Sequence, residues 1–407
     1  MRIVVCLLLL AGVAAADVCK TSAECEKACS ARTTAACTFA AEMHFDGKAG
    51  WPLDHAKSLR FAKRACDAKD AFGCALLGLH YQDGLGTAFA PARAVAAYEQ
   101  ACKGGAGVGC YNLASMYYGA HGVPFDRVKG DDYTKLARTH WEAACKGDQP
   151  RWCTNLAYLE APDTKAPAAA QAKALELNTR ACDNGITVGC LEAARAKLEL
   201  GKLDLLGFMR QLDKLCTQNE YGACGVLAAL LLLGDKGIAK DAKRALELLT
   251  RACDGGDKHS CFVLGIEYAS GNNIKQDFAA TTRVFDRACD RAHSKACIAI
   301  GQNLAATRAY KRAADYARRG CHMGNAEGCG MLAQLHADGT GVAKSTSEST
   351  KWATDGCRMG HMPSCGILIK RDVFPLPVPA DMQKRMYESA CTEGKVDVAC
   401  KRLAKLK

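Results

Sequence analysis

Closely spaced cysteine pairs recur from end to end of this 407-residue chain and hold 22 of its 25 cysteines. Thiols at a fixed spacing can form disulfides, bind a metal ion or supply a nucleophile. The first cysteines of successive pairs lie 32 to 43 residues apart, which indicates a repeat of that period. Ten pairs have the spacing C-x7-C, and the eleventh has one more residue between its cysteines. The pairs are Cys29 with Cys37, Cys66 with Cys74, Cys102 with Cys110, Cys145 with Cys153, Cys182 with Cys190, Cys216 with Cys224, Cys253 with Cys261, Cys289 with Cys297, Cys321 with Cys329, Cys357 with Cys365, and Cys391 with Cys400.

Zinc binding is the main alternative to disulfide formation. Structural zinc sites use short ligand spacings such as C-x2-C, often together with histidine. The sequence has no C-x2-C, and its ten histidines keep no fixed register with the cysteine pairs. We therefore expect one disulfide per pair, no metal site and no cofactor.

Other catalytic arrangements are also missing from the sequence. A serine β-lactamase needs S-x-x-K, but no serine here has lysine three residues later, and K-T-G and G-x-S-x-G are absent. The motif H-E-x-x-H is absent, and His322, His336 and His361 are isolated. Disulfide-bonded cysteines offer no thiolate nucleophile. We expect no catalytic residues.

Two helices and a tight turn must position each cysteine pair. Residues eight apart in one continuous helix are separated by about 12 Å, whereas a disulfide needs its Cα atoms within roughly 7 Å. A turn with glycine, such as Gly105 or Gly185, lies between the cysteines. After the second cysteine, Leu77, Gly78 and Tyr81 exemplify a spacing that places residues on one helical face. Each pair thus joins the end of one helix, here termed the pre-turn helix, to the start of the next, the post-turn helix.

The N-terminus predicts export. Arg2 precedes an apolar run over residues 3–16 that ends in Ala14, Ala15 and Ala16, an A-x-A-type cleavage site. This pattern is typical of a secretory signal peptide, residues 1–16, and the run is too short to predict a transmembrane span. We expect a secreted or periplasmic protein in which Cys19 and Cys25 form a twelfth, irregular disulfide.

The repeat consensus, roughly A-x3-Y-x2-A-C-x2-G-x4-C-x2-L-G-x2-Y-x2-G, resembles the Sel1-like repeat. More narrowly, it resembles the cysteine-rich, secreted bacterial proteins first described from Helicobacter. The resemblance implies an all-α fold: an α/α solenoid that forms a right-handed superhelix related to tetratricopeptide repeats, with one disulfide per repeat. We expect residues 17–407 to form a single solenoid of about eleven repeats. Its caps would be residues 17–28 at the N-terminus and a helix over residues 400–407.

Two function classes follow. The first is a non-catalytic, monomeric scaffold whose concave groove binds a protein, a peptide or a cell-wall ligand. The alternative is a penicillin-binding protein with weak β-lactamase activity, because several relatives carry such names. The formal net charge is +11, but the basic residues are dispersed and no aromatic-interleaved basic motif occurs, so we expect no nucleic acid partner.

Candidate binding residues follow from helical register. In related repeats the post-turn helix lines the concave surface, and positions +2 and +5 after the second cysteine lie off the expected core face. Ordinary solvated helix positions would show the same pattern. In three neighbouring repeats these positions hold Asn112, Ser115, Asn155, Tyr158, Glu192 and Arg195.

Overall fold

The computed structural model describes residue 19 and residues 21–30, 33–47, 51–119, 122–163, 165–234, 237–378, 380–392 and 396–405. Within these ranges the chain forms 22 helices and no strand, which confirms the all-α prediction. The predicted signal peptide, residues 1–16, lies outside the described residues. The chain separates into two compact units, residues 1–281 and 282–407, and each is described by itself.

The first unit alternates pre-turn helices, with odd numbers, and post-turn helices, with even numbers. Its helices are α1 (Ser22–Ser30), α2 (Thr34–Asp46), α3 (His55–Asp67), α4 (Ala71–Asp83), α5 (Pro91–Lys103), α6 (Gly107–Gly119), α7 (Arg127–Lys146), α8 (Trp152–Glu160), α9 (Ala168–Asp183), α10 (Thr187–Glu199), α11 (Leu205–Thr217), α12 (Tyr221–Leu233), α13 (Ala242–Asp254) and α14 (Lys258–Ser270). Helix α15 (Phe278–Asp290) begins in the first unit and ends in the second.

The second unit continues the same alternation. Its helices are α16 (Ser294–Ala306), α17 (Tyr310–His322), α18 (Ala326–Asp338), α19 (Thr346–Arg358), α20 (Met362–Lys370), α21 (Ala380–Thr392) and α22 (Asp397–Lys405). The last helix begins at Asp397 and carries Cys400, so it is the post-turn helix of the last cysteine pair. Residues 400–405 of the cap predicted over residues 400–407 lie in that helix, and residues 406 and 407 lie outside the described residues.

Twelve disulfides join the cysteines of the described residues, including Cys19 with Cys25. Their Cα–Cα distances run from 4.4 to 5.1 Å, so each pair closes the tight turn that its spacing predicted. Disulfides on this scale persist in oxidising compartments. The protein is therefore suited to an extracytoplasmic environment.

Local sequence explains where the helices begin and end. Aspartates cap several helices; for example, Asp70 accepts a hydrogen bond from the Gly73 N–H at 2.7 Å at the start of α4. Gly84 ends α4 with φ +67° and donates its N–H to the His80 carbonyl. A left-handed residue at this place favours glycine because it has no Cβ.

A small residue four positions after the second cysteine lets a post-turn helix pack closely on the pre-turn helix that follows it. A Cβ on Gly78 would lie 2.4 Å from the ring of Tyr98, which is fully buried on α5. Leu77 and Tyr81 are buried on the same helix. The face predicted from their spacing is therefore the packed face of α4.

Post-turn helices of successive repeats also contact one another, as α2 does with α4, α4 with α6, and α8 with α10. Contacts reach further in the first unit: Phe72 at the start of α4 stacks on Trp152 at the start of α8, with ring centroids 5.4 Å apart. In a curved stack, elements two repeats apart approach each other on the inner side. The post-turn helices therefore form the inner face of the first unit. Among the described residues, no helix combines the length and the apolar composition needed to cross a membrane.

Candidate interaction surface

Asn112 and Asn155 share a register position but differ in environment. Asn112 on α6 is buried, with 7% of its surface exposed, and its side chain lowers the pKa of the Tyr98 hydroxyl, which burial raises. The Tyr98 hydroxyl donates in turn to Gln82 Oε1 at 2.9 Å. Asn155 on α8 is half-buried. The prediction that position +2 lies off the core face thus fits Asn155 but not Asn112, whose polar atoms serve an internal network.

Aromatic rings line the seam between α6 and α8. Tyr158 packs edge-on against Tyr111, with centroids 6.4 Å apart, and Tyr111 packs against Trp141 at 5.6 Å. Tyr111, Ser115 and Tyr158 are each half-buried. The structure therefore brings Ser115, Asn155 and Tyr158 onto two adjacent helices, where partly exposed rings and polar groups alternate.

A charged pair continues this surface on α10. Arg195 Nη1 donates to Glu192 Oε2 at 3.1 Å, and both side chains are half-buried. Burial raises the pKa of the Glu192 carboxyl, the Arg195 charge opposes that shift, and the charges of Glu199 and Glu220 add to it. We name Ser115, Asn155, Tyr158, Glu192 and Arg195 the inner patch. Its helices α8 and α10 are in contact.

No pattern in the sequence predicts the charge interactions between repeats on the inner face. The charge of Glu42, a buried side chain on α2, acts on Arg151 at the start of α8. Asp83 at the end of α4 is 5% exposed; burial raises its pKa to about 6, while hydrogen bonding from Gln82 and the charge of Lys258 on α14 lower it. Glu42 and Arg151, like Asp83 and Lys258, are distant in sequence, and their charges interact because the stack brings their repeats near each other.

Contacts between repeats made from the pre-turn helices do follow a pattern in the sequence. The residue two positions before the first cysteine reaches back to the preceding repeat. Arg180 donates to the Lys146 carbonyl at 3.0 Å, and Arg319 donates to Asp290 Oδ1 at 2.7 Å. Arg251 donates to Asn219 Oδ1 at 3.2 Å. A long polar side chain recurs at this position in most repeats. The sequence pattern therefore indicates a position that makes contacts between repeats, here termed the tie between repeats.

Four histidines have structural partners in the described part of the chain. His80 Nδ1 lies 2.7 Å from the Leu85 carbonyl oxygen, and His336 Nδ1 lies 3.1 Å from that of Ala343, so each ring fixes the loop that follows its helix. Burial lowers the pKa of His80 to about 3. His322 packs against Trp352 with centroids 5.8 Å apart, and burial lowers its pKa to about 4. His361 Nδ1 lies 2.8 Å from Ser364 Oγ.

Comparison with known proteins identifies the type of repeat. The Sel1 repeat matches residues 34–70, 71–105, 107–148, 222–257 and 326–361. No curated protein matches the sequence. One similar solved structure is a protective antigen present in uropathogenic Escherichia coli strains that displays an SLR fold; it is 18% identical with a TM-score of 0.46, and the alignment covers 94% of this chain and 82% of that one. Another is a Sel1 repeat protein from Oxalobacter formigenes, 16% identical with a TM-score of 0.36, covering 85% and 88%.

The five matched segments cover repeats in both units. Each contains a post-turn helix and the pre-turn helix that follows it. The same disulfide-closed turn recurs in the repeats between the matched segments. Sel1 repeats are protein-interaction modules. The chain contains five Sel1 repeats, and a disulfide closes each described turn between a pre-turn helix and its post-turn helix.

Proposed function

We propose that this protein is an exported, non-catalytic scaffold whose inner patch binds an extended segment of a partner protein. The observation that carries the proposal is the alignment of half-buried polar and aromatic side chains on three successive post-turn helices. Packed helices lie about 8–10 Å apart, and an extended chain advances about 3.3 Å per residue. Each helix of the patch would therefore meet roughly every third residue of a peptide that crosses it.

The chemistry of the patch suits a peptide. The Asn155 amide can both donate to and accept from a peptide backbone. Tyr158 offers an apolar ring with a polar tip, the type of residue that protein interfaces favour. The pair of Glu192 and Arg195 can exchange its mutual contact for charged groups of a partner. Ordinary solvated helix positions would carry the same types of side chain. Photo-crosslinking separates the two interpretations.

Site-specific photo-crosslinking tests the proposal. A photoreactive amino acid replaces Tyr158 in the oxidised protein, and the matched control replaces Thr139, which is exposed on pre-turn helix α7. With extracytoplasmic extract of the producing cell, we expect one discrete adduct from position 158 and none from position 139. The double substitution Asn155→Ala and Arg195→Ala should weaken that adduct while leaving the melting temperature within a few degrees. Equal labelling from both positions would refute the inner patch as the binding site.

A further inference from the structure

The two units differ sharply in charge. Residues 282–407 contain 21 lysines and arginines and 12 aspartates and glutamates, a net charge of +9. Residues 1–281 contain 33 and 31, a net charge of +2. Nearly all of the net positive charge therefore belongs to the smaller unit. Such asymmetry predicts an electrostatic partner for that unit.

The difference in charge between the two units is clearest in the loops that lead from a post-turn helix into the next pre-turn helix. In the first unit, aspartate caps the helix that follows in several repeats: Asp54 accepts from the Lys57 N–H, Asp126 from Lys129 and Asp241 from Arg244. At the two second-unit starts whose caps the structure describes, the caps are neutral. Ala309 precedes α17 and Ser345 precedes α19. These two starts thus lack the negative charge that Asp54, Asp126 and Asp241 supply in the first unit, where the caps Ala90 and Pro167 are neutral as well.

Basic side chains lie at these neutral helix starts and at the C-terminal end of α20. We define the basic edge as Arg308, Lys311, Arg312, Lys344 and Lys370, all of which are exposed.

Backbone packing joins the members of the basic edge. A Cβ on Gly341 would lie within 2.5 Å of the backbone of Tyr310 and Lys311, so the loop that carries Lys344 lies directly on the first turn of α17. Arg371, next to Lys370, donates to Thr350 Oγ1 at 3.1 Å in the first turns of α19. The five charges therefore form one strip across successive repeats.

Acidic residues near the strip do not cancel it. Glu348 lies 3.8 Å from the Lys351 ammonium, and Asp372 accepts from Arg402 Nη2 at 3.2 Å. Asp338 accepts from Gln334 Nε2 at 2.9 Å. Two of these three carboxylates are already matched by cations outside the basic edge. The strip keeps a surplus of positive charge.

We propose that the basic edge is a membrane-contact surface that binds a bilayer containing anionic phospholipids. The strip consists of long, exposed side chains on neighbouring loops, and no aromatic ring or buried donor belongs to it. This composition suits a partner that presents many phosphates on a plane, since each basic side chain near such a surface adds attraction independently. Twelve disulfides suit the extracytoplasmic side of a membrane, where that lipid surface is available.

Vesicle flotation with the oxidised full chain tests the proposal. Vesicles contain phosphatidylcholine alone or phosphatidylcholine with phosphatidylglycerol, each at low and physiological salt. The edge variant changes Arg308, Lys311, Arg312, Lys344 and Lys370 to Gln. The matched control removes the same charge from exposed loop and helix-start lysines of the first unit: Lys165, Lys202, Lys240, Lys243 and Lys275 to Gln. Circular dichroism melts confirm that both variants are folded.

We expect the wild type to float only with the anionic vesicles and to dissociate as salt rises. The edge variant should lose at least about tenfold in vesicle affinity, while the control loses less than about threefold. Equal losses in both variants would mean that total charge decides, and would overturn the assignment of the strip. Absence of wild-type flotation would overturn the membrane proposal, as would retention on a heparin column without vesicle binding, which would instead identify an anionic polysaccharide.

Discussion

Single residues at equivalent repeat positions have different roles because their neighbours differ. Asn112 is buried against the Tyr98 hydroxyl, whereas the residue equivalent to Tyr98 in the next repeat is Trp141, which has no hydroxyl to engage Asn155. The register predicted both asparagines correctly as post-turn helix residues. The register could not separate them, because burial depended on the side chain opposite.

Substitution of the two asparagines should therefore give unequal results. Asn112→Ala removes a buried amide that interacts with the Tyr98 hydroxyl and should cost about 1–3 kcal/mol of unfolding free energy. Asn155→Ala removes a half-buried amide and should change that free energy by less than about 0.5 kcal/mol. Urea unfolding of each variant measures both values. A similar cost for both would contradict the difference in environment.

Asp83 should make stability depend on pH. Its folded pKa of about 6 lies above the ordinary value of 3.8, because the carboxyl is buried. The folded state thus prefers the protonated acid: this preference stabilises the fold below about pH 4 and is lost as pH rises through 6. Asp83→Asn removes the cost of the buried charge, so the variant should gain stability at pH 8 relative to wild type, by at most about 3 kcal/mol.

Urea unfolding at pH 4 and pH 8 checks this expectation. Asp148→Asn on an exposed turn is the matched control and should have little effect at either pH. An Asp83→Asn variant that is less stable than wild type at pH 8 would show that the carboxylate makes an ion pair strong enough to offset its burial, with Lys258 as the nearest candidate.

At the scale of elements, the sequence predicts what is local and misses what depends on curvature. The C-x7-C spacing, the turn glycines and the small residue at Gly78 predict the helices and the packing between helices that follow each other in the chain. The stacking of Phe72 on Trp152 depends instead on the small rotation from each repeat to the next, which accumulates along the stack. No pattern within one repeat encodes that sum, so the inner contacts could not be predicted.

The tie between repeats predicts a difference between two adjacent arginines. Arg319 on α17 reaches Asp290 at the end of α15, whereas Arg318 pairs with Asp315 one turn away on its own helix, at 2.9 Å. Both pairs are partly exposed, so each contributes at most about 1 kcal/mol. Arg319→Ala should nevertheless speed amide exchange around the Cys289–Cys297 turn, because it removes a contact between repeats.

Hydrogen exchange by mass spectrometry measures this effect at low salt, where exposed charge pairs are strongest. Arg318→Ala is the control and should leave exchange at that turn unchanged. Equally faster exchange in both variants would contradict this expectation. It would show that loss of a positive charge on α17, and not loss of the Arg319–Asp290 contact, lowers the stability of the turn.

Over the whole molecule, the apolar cores are unequal in size. One extensive cluster in the first unit includes Cys102 and Cys110 together with many leucines and aromatic residues. By contrast, Cys145 and Cys153 belong to a separate small cluster with Ala181. A solenoid repeat relies on its own core and its neighbours, so a small core makes its disulfide more important.

Removing one disulfide should therefore have consequences that depend on position. Closing a nine-residue loop is worth roughly 2.5 kcal/mol in the chain-entropy model, whatever the repeat. Replacing Cys102 and Cys110 by Ser removes this constraint where a large core still holds the helices. Replacing Cys145 and Cys153 removes it in a much smaller cluster, although Trp141 on α7 and Trp152 on α8 still belong to the large one. We expect amide exchange to rise across α7 and α8 in the second variant, and to rise less across α5 and α6 in the first. If the Cys102 and Cys110 variant opened as widely as the other, core size would not govern local stability, and the disulfides would act mainly through the unfolded chain.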